Sequence, residues 1–278
     1  MTTLFVDQKS IVRKIWGNSD TILLIFAGAS AEFALNKAVD WLYFTGKLPN
    51  DPLGRLFSTV AYARKIVFEE EEKALQAIGT IKAIHTSVET KRGESIPDWA
   101  YKDVLFMLID YSIKSYEILE RDLTLAEKNE VLHVFRRVGQ GMGLVTLPEN
   151  YANFENIRQA HLQSNLTFSE LTQDLYKQYR KHLGWFRYRM LQEAQLLITP
   201  IELHFMLNLG GIPLLKPLIP LYKLSKILNI NWLLKSLLLP NAYKKEIKAL
   251  NSWSSIINTI NSNLDHENNH SHYCSSSF

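Results

Sequence analysis

Cysteine is nearly missing: the chain of 278 residues has one, Cys274, close to its end. No internal disulfide can form, which fits a reducing compartment. Neither sign of charge dominates, with 31 Lys and Arg against 28 Asp and Glu and a net charge of +3. That balance does not suggest a nucleic-acid partner, and no basic run with interleaved aromatics matches a nucleic-acid module. The opening segment MTTLFVDQKSIVRK lacks the apolar core and cleavage site of a signal peptide, so a cytoplasmic protein is expected. No uncharged apolar run reaches the roughly 18 residues that a transmembrane helix needs. G-x-S-x-G, H-E-x-x-H, the phosphate loop, C-x-x-C and C-x-x-C-H are all absent, and with them the chemistry that each supports. No long apolar–polar alternation and no fixed repeat appear, so a sheet protein is not expected.

What is present has helical spacing. Hydrophobic residues make up 46% of the chain, enough for a large core and against global disorder. Residues 1–19 read as a leader segment with a short helix at 10–16. Asp20 suits the cap of a helix over 21–44, with Gly46 as its stop and Pro49 just beyond. That helix, with ILLIFAGASAEFAL, is apolar nearly all round, and Glu32, Asn36 and Lys37 interrupt it too early for a comfortable membrane span. It is the expected central buried helix. Its small residues from Ala27 to Ala31 let another helix, or a flat cofactor, approach closely. Asp98 begins a helix to about residue 121, within which Asp110 is either paired or faces a site. Thr124-Leu-Ala-Glu127 is a capping box for a helix ending at the glycines 139–143. Leu147-Pro148 introduces a helix over 149–163, and Thr167–Glu170 reads as a second capping box for a helix ending near Gly184. Pro200 forces a kink or break. The fold class is all-α: about ten helices in one domain around the central one.

Residues 51–88 carry the chemistry. Asp51 suits an N-cap with Pro52 at the first helical position, for a helix to about residue 68. Arg55 and Thr59, four apart, share a face of it. Glu69 to Glu72 suit the positive end of a second helix, on which Ala74, Ile78, Ile81, His85 and Val88 form an apolar stripe. From the pattern alone, His85 is a core histidine, Arg55 a salt-bridge partner and Thr59 a hydroxyl bonded back to its own helix. The run Asp51-Pro52-x-Gly54-Arg55-x-x-x-Thr59, a hydrophobic helix and then Ile84-His85-x-x-Val88 resembles the oxygenase MpaB and latex-clearing-protein family, also known as DUF2236. The order of later helices, with VFRRVGQGMGL and LPENYANF, extends the resemblance over about residues 15–210.

The resemblance implies a b-type haem pocket between helices, bound without covalent attachment, with His85 as proximal iron ligand and Arg55 and Thr59 beside the haem. It implies a haem-dependent oxygenase that cleaves a C=C bond of a hydrophobic substrate, an isoprenoid or unsaturated lipid, with O₂. In the latex-clearing branch a glutamate upstream of the Arg-x-x-x-Thr helix acts as base; Asp40 sits at about that distance and Glu32 one or two turns earlier. That branch has a lysine directly before the threonine, able to take the distal iron position. Ser58 stands there in this chain. Its hydroxyl is a poor iron ligand, which argues for five-coordinate or water-ligated iron and against polyisoprene as substrate. The helical oxygenase domain is expected over 20–240, a C-terminal helix over 241–260 and a disordered polar tail over 261–278. Residues 211–240 mix Leu and Ile with isolated lysines and Trp232, which suits peripheral membrane contact. Two alternatives stand beside the oxygenase: a non-catalytic, membrane-peripheral, lipid- or partner-binding protein without haem, and a haem protein with peroxidase or sensor chemistry. His133 and His161 read as structural or surface residues.

Overall fold

The computed structural model describes residues 3–46, 50–210 and 213–227. Pro49, the rest of the 211–240 segment, the C-terminal helix and the tail lie outside the described residues. Eleven α-helices and no strand occur among those described. In chain order they are α1 (Ile11–Gly17), α2 (Ser19–Leu35), α3 (Val39–Phe44), α4 (Pro52–Phe68), α5 (Glu71–Arg92), α6 (Asp98–Leu119), α7 (Leu125–Met142), α8 (Tyr151–Asn165), α9 (Glu170–Ile198), α10 (Ile201–Leu207) and α11 (Ile219–Ile227).

The central helix is α2, which packs along both α6 and α9. Its apolar run has no polar face to keep in water, so it is enclosed: Ile25, Ala31, Ala34 and Leu35 are fully buried. Gly28 is what allows the approach of α6. A Cβ there would lie 2.7 Å from the Tyr111 ring, so the small-residue patch accepts an aromatic side chain of a neighbouring helix. The expected helix over 21–44 is in fact two. Asn36 ends α2 because its side chain turns to the Ala38 N–H (2.8 Å) and to Asp103 (2.9 Å), competing with helical continuation. The cap of α2 is Asn18, whose side chain accepts from the Asp20 N–H.

The residues before α2 belong to the core. Phe5, Val6, Ile11, Val12, Ile15 and Trp16 are buried in the main cluster, and the Trp16 Nε1–H donates to Ser112 Oγ at 3.1 Å. An isolated antiparallel bridge joins Leu4 to Glu70, and another joins Asn36 to Leu166.

The helix end that the sequence places near Gly184 is present: the helical backbone breaks at that residue inside α9, and the chain reverses there. Gly184 has φ 72° and ψ 169°. The Tyr176 ring lies 6.4 Å from that of Tyr188, and the Tyr176 O–H donates to Gln195 Oε1 at 3.0 Å. On a straight helix those partners would be roughly 18 and 28 Å away along the axis, so α9 is a helical hairpin with its apex at Gly184. Its φ/ψ lies in a region open essentially to glycine alone, and no atom lies within 4 Å of where a Cβ would stand. Gly184→Ala should therefore act through backbone strain only, lowering stability by about 1–2 kcal/mol in a urea titration.

Candidate functional site

Helices α4 and α5 pack against each other and bring Arg55 and His85 together. Asp51 caps α4 as the sequence suggests, accepting from the Gly54 N–H at 2.8 Å, with Pro52 at the first helical position. Neither Arg55 nor His85 makes a side-chain hydrogen bond or ion pair with a carboxylate among the described residues. The Nδ1 of His85 is one of several buried polar atoms that have no hydrogen-bond partner among the described residues. Burial, and then the positive charge of Arg55, push His85 below the ordinary imidazole value of 6.5, while Glu89 pulls the other way. Burial also lowers the Arg55 pKa. His85 is thus held as the neutral imidazole, the form that ligates metal.

A depressed histidine has a defined pH signature. The folded value lies below that of the unfolded chain, so the stability carried by the neutral ring is present above about pH 6.5 and is lost as the pH falls through the folded value. The drop in urea midpoint between about pH 7.5 and about pH 5.5 should be larger for the wild type than for His85→Ala. Equal drops would show that His85 titrates alike in both states.

The Thr59 Oγ1–H donates to the Arg55 carbonyl at 3.1 Å and the exposed Ser58 Oγ–H to the same oxygen at 2.7 Å. Thr59 is therefore bonded back to its own helix, one turn from Arg55. The apolar stripe of α5 divides in two: Ala74 and Ile78 are buried, whereas Ile81, His85 and Val88 are only partly covered and Ile84 is exposed.

The two candidate carboxylates lie elsewhere. Glu32 is buried and bidentate with Arg158 of α8, and it also accepts from the Tyr111 O–H at 2.7 Å. The Arg158 Nε–H donates to Asp110 at 3.2 Å, which also takes Lys114 at 2.9 Å. Burial works against the Arg158 charge, but Glu32 and Asp110 outweigh it and hold the guanidinium firmly protonated. Burial, then Glu32, drive the Tyr111 phenol far up, so it stays a donor. Asp110 is thus paired. Asp40 is half-exposed and pairs with Arg92 at 2.6 Å; that guanidinium also stacks over Trp41. Arg92 lies seven residues beyond His85, roughly 10 Å along α5.

Two residues not singled out from the sequence shape the His85 surroundings. Tyr101 presents its ring edge-on to the imidazole at 5.2 Å, and its O–H donates to Glu89 at 3.2 Å. Glu89 also accepts from the Ile96 N–H at 2.8 Å, fixing the turn into α6. Only the i, i+4 spacing of His85 and Glu89 hinted at this. A cleft of about 240 Å³ adjoins these residues, lined by Lys82, Thr86, Glu89 and Tyr101 among others. A larger one, about 850 Å³, lies between α7 and α8 and has no histidine in its lining. His161 is engaged by the buried Asp103, itself held by Asn36 and Asn165, in a structural tie between α6 and α8.

The described residues form an all-helical architecture in which Arg55 and His85 lie on the packed helices α4 and α5. The chain belongs to a known oxygenase family: residues 14–225 match the model described as ER-bound oxygenase mpaB/B′/Rubber oxygenase, catalytic domain. No curated protein and no solved structure matches the chain. No helix among the described residues is long and apolar enough to cross a membrane.

The residues present fit the haem that this family implies. Among the described residues no hydrogen-bond partner reaches the neutral His85 ring, the Arg55 guanidinium beside it has no carboxylate partner, and Ile81 and Val88 are left partly uncovered. Among the described residues no group of three or more His, Cys, Asp or Glu gathers, whereas haem iron needs a single protein donor.

Proposed function

We propose that the chain is a b-type haem-dependent oxygenase that uses O₂ to cleave a carbon–carbon double bond of a hydrophobic substrate, an isoprenoid or another unsaturated lipid, to carbonyl products. The observation that supports this most is a neutral His85 close to the charge of Arg55, neither with a carboxylate hydrogen-bond partner among the described residues, in a member of this family. When bound, haem supplies an iron centre able to react with O₂.

His85 would hold the iron through a ring nitrogen, and Tyr101, braced by Glu89, packs edge-on against that ring and limits its rotation. Arg55 neutralises a propionate, a role its lack of a carboxylate partner leaves open. Thr59 would lie beside the haem one turn from Arg55, and Ser58, whose hydroxyl serves the Arg55 carbonyl, would be a poor iron ligand. Ile81, Ile84 and Val88 offer apolar surface that keeps water from an oily substrate. Of the two candidate carboxylates, Asp40 is half-exposed and tied to Arg92, and Glu32, closed in by Arg158, serves the fold.

Haem-loaded protein in an oxygen electrode tests the reaction. The expected result is O₂ uptake with an unsaturated isoprenoid or fatty acid and a matching yield of trapped carbonyl products. Haem-loaded protein that turns over peroxide but takes up no O₂ with any such lipid would replace this reading with a peroxidase or sensor.

A further inference from the structure

The apex of the α9 hairpin has no role in the site described above, and its composition is unusual. Residues 175–190, LYKQYRKHLGWFRYRM, hold five basic side chains (Lys177, Arg180, Lys181, Arg187 and Arg189) and no acidic one. At the turn itself Trp185 is 72% exposed and Phe186 44%. Lys177, Arg180 and Lys181 are exposed as well, and none of the three pairs with a carboxylate among the described residues. Arg189 is tied to Glu193 at 2.9 Å. The base of the hairpin is firmly held: Leu175 and Tyr179 are buried against Ala34 and Val39, with Leu183, Tyr188 and Leu191 packed around them. A rigid stem thus carries two large aromatic side chains on a glycine turn into solvent, ringed by positive charge.

We propose that this apex docks the protein on an anionic lipid surface, with Trp185 and Phe186 entering the headgroup region and Arg180 and Lys181 meeting lipid phosphates and carboxylates. Tryptophan is enriched at the membrane interface because its ring is apolar and its N–H is wet. Exposed aromatics alone would suit many partners; the unbalanced positive charge around them selects an anionic surface. The 213–227 strap, part of the segment in which membrane contact was expected, is a weaker match. Leu214, Leu218 and Leu221 are exposed, but the Lys223 ammonium is spent on the Glu120 carbonyl at 3.0 Å and the Leu214 N–H on Glu193 at 2.7 Å. α9 also contacts α4, the helix that carries Arg55, so docking here would bring that helix toward the bilayer. The docking itself does not depend on the oxygenase assignment.

Co-sedimentation of the full chain with vesicles tests this. One set is phosphatidylcholine alone and the other phosphatidylcholine mixed with phosphatidylserine. The wild type is expected to bind the anionic vesicles and to be released by salt. Trp185→Ala/Phe186→Ala and Arg180→Glu/Lys181→Glu should each lose at least about tenfold in partitioning, from roughly fivefold per basic residue near such a surface. Both should keep wild-type helicity and urea midpoint, since the changed side chains are exposed. Leu214→Ala/Leu218→Ala/Leu221→Ala should bind like the wild type. Equal binding by the apex variants, loss confined to the leucine variant, no vesicle binding at all, or tighter binding to single-stranded RNA than to anionic vesicles would each overturn the proposal. So would a wild-type dimer that Trp185→Ala/Phe186→Ala makes monomeric.

Discussion

His85→Ala is expected to yield a folded, helical protein that no longer retains haem. Among the described residues the imidazole makes no hydrogen bond that its removal would strand, and the Tyr101 ring edge rests on it. The stability change should stay near about 1 kcal/mol, typical of substitutions outside a packed core. Loss of colour would then report loss of the ligand rather than loss of the fold. A smaller variant, His85→Gly, should regain a haem spectrum when imidazole is added, because the added ring can occupy the vacated place. Purification of His85→Ala with the wild-type haem content and an unshifted Soret band would remove His85 from the ligand role.

The other large effect is expected at Arg158. Replacement by alanine leaves the Glu32 and Asp110 carboxylates buried without their shared cation. Removing one partner of a buried ion pair typically costs about 3–5 kcal/mol, because the remaining charge stays desolvated. Arg158→Ala should lower the urea midpoint by that amount or fail to accumulate as folded protein. Restoring neutrality should recover much of the loss: Glu32→Gln/Arg158→Met leaves fewer stranded charges and should be clearly more stable than Arg158→Ala alone. If Arg158→Ala costs less than about 1 kcal/mol, the network is not holding α2, α6 and α8 together.

The local parts of this architecture are legible in the sequence. Asp51 with Pro52, and Thr124 with Glu127, carry their own hydrogen-bonding instructions, and both caps form as written. The buried α2 follows from an apolar run with no polar face. What the sequence does not disclose depends on distant partners. The second capping box forms two residues later than expected, at Ser169 and Thr172, because the Thr167 N–H is taken by the Leu35 carbonyl at 2.7 Å. Asn36 breaks the central helix on account of Asp103, 67 residues away.

The site divides along the same line. Arg55, Thr59 and His85 share one short stretch, and the resemblance to the oxygenase family, not their spacing, is what groups them; the structure brings Arg55 and His85 together. Glu32 looked available because its partner, Arg158, lies 126 residues further along. Asp40 likewise gave no sign of Arg92. Tyr101 escaped notice because a tyrosine in the first turn of α6 is unremarkable until the fold sets it against His85. Gly184 reads correctly as a helix end; that the chain reverses there into a hairpin depends on the second segment packing back on the first, which spacing does not disclose.

The most direct test of the central claim is the visible spectrum and haem content of the wild-type protein purified from haem-supplied cells. The oxygenase account predicts a Soret band and close to one b-type haem per chain, extractable without breaking a covalent bond. A folded, helical protein that is colourless and takes up no haem on titration would contradict it. His85 would then be a partly covered histidine without a ligand, and the lipid-binding alternative would lead.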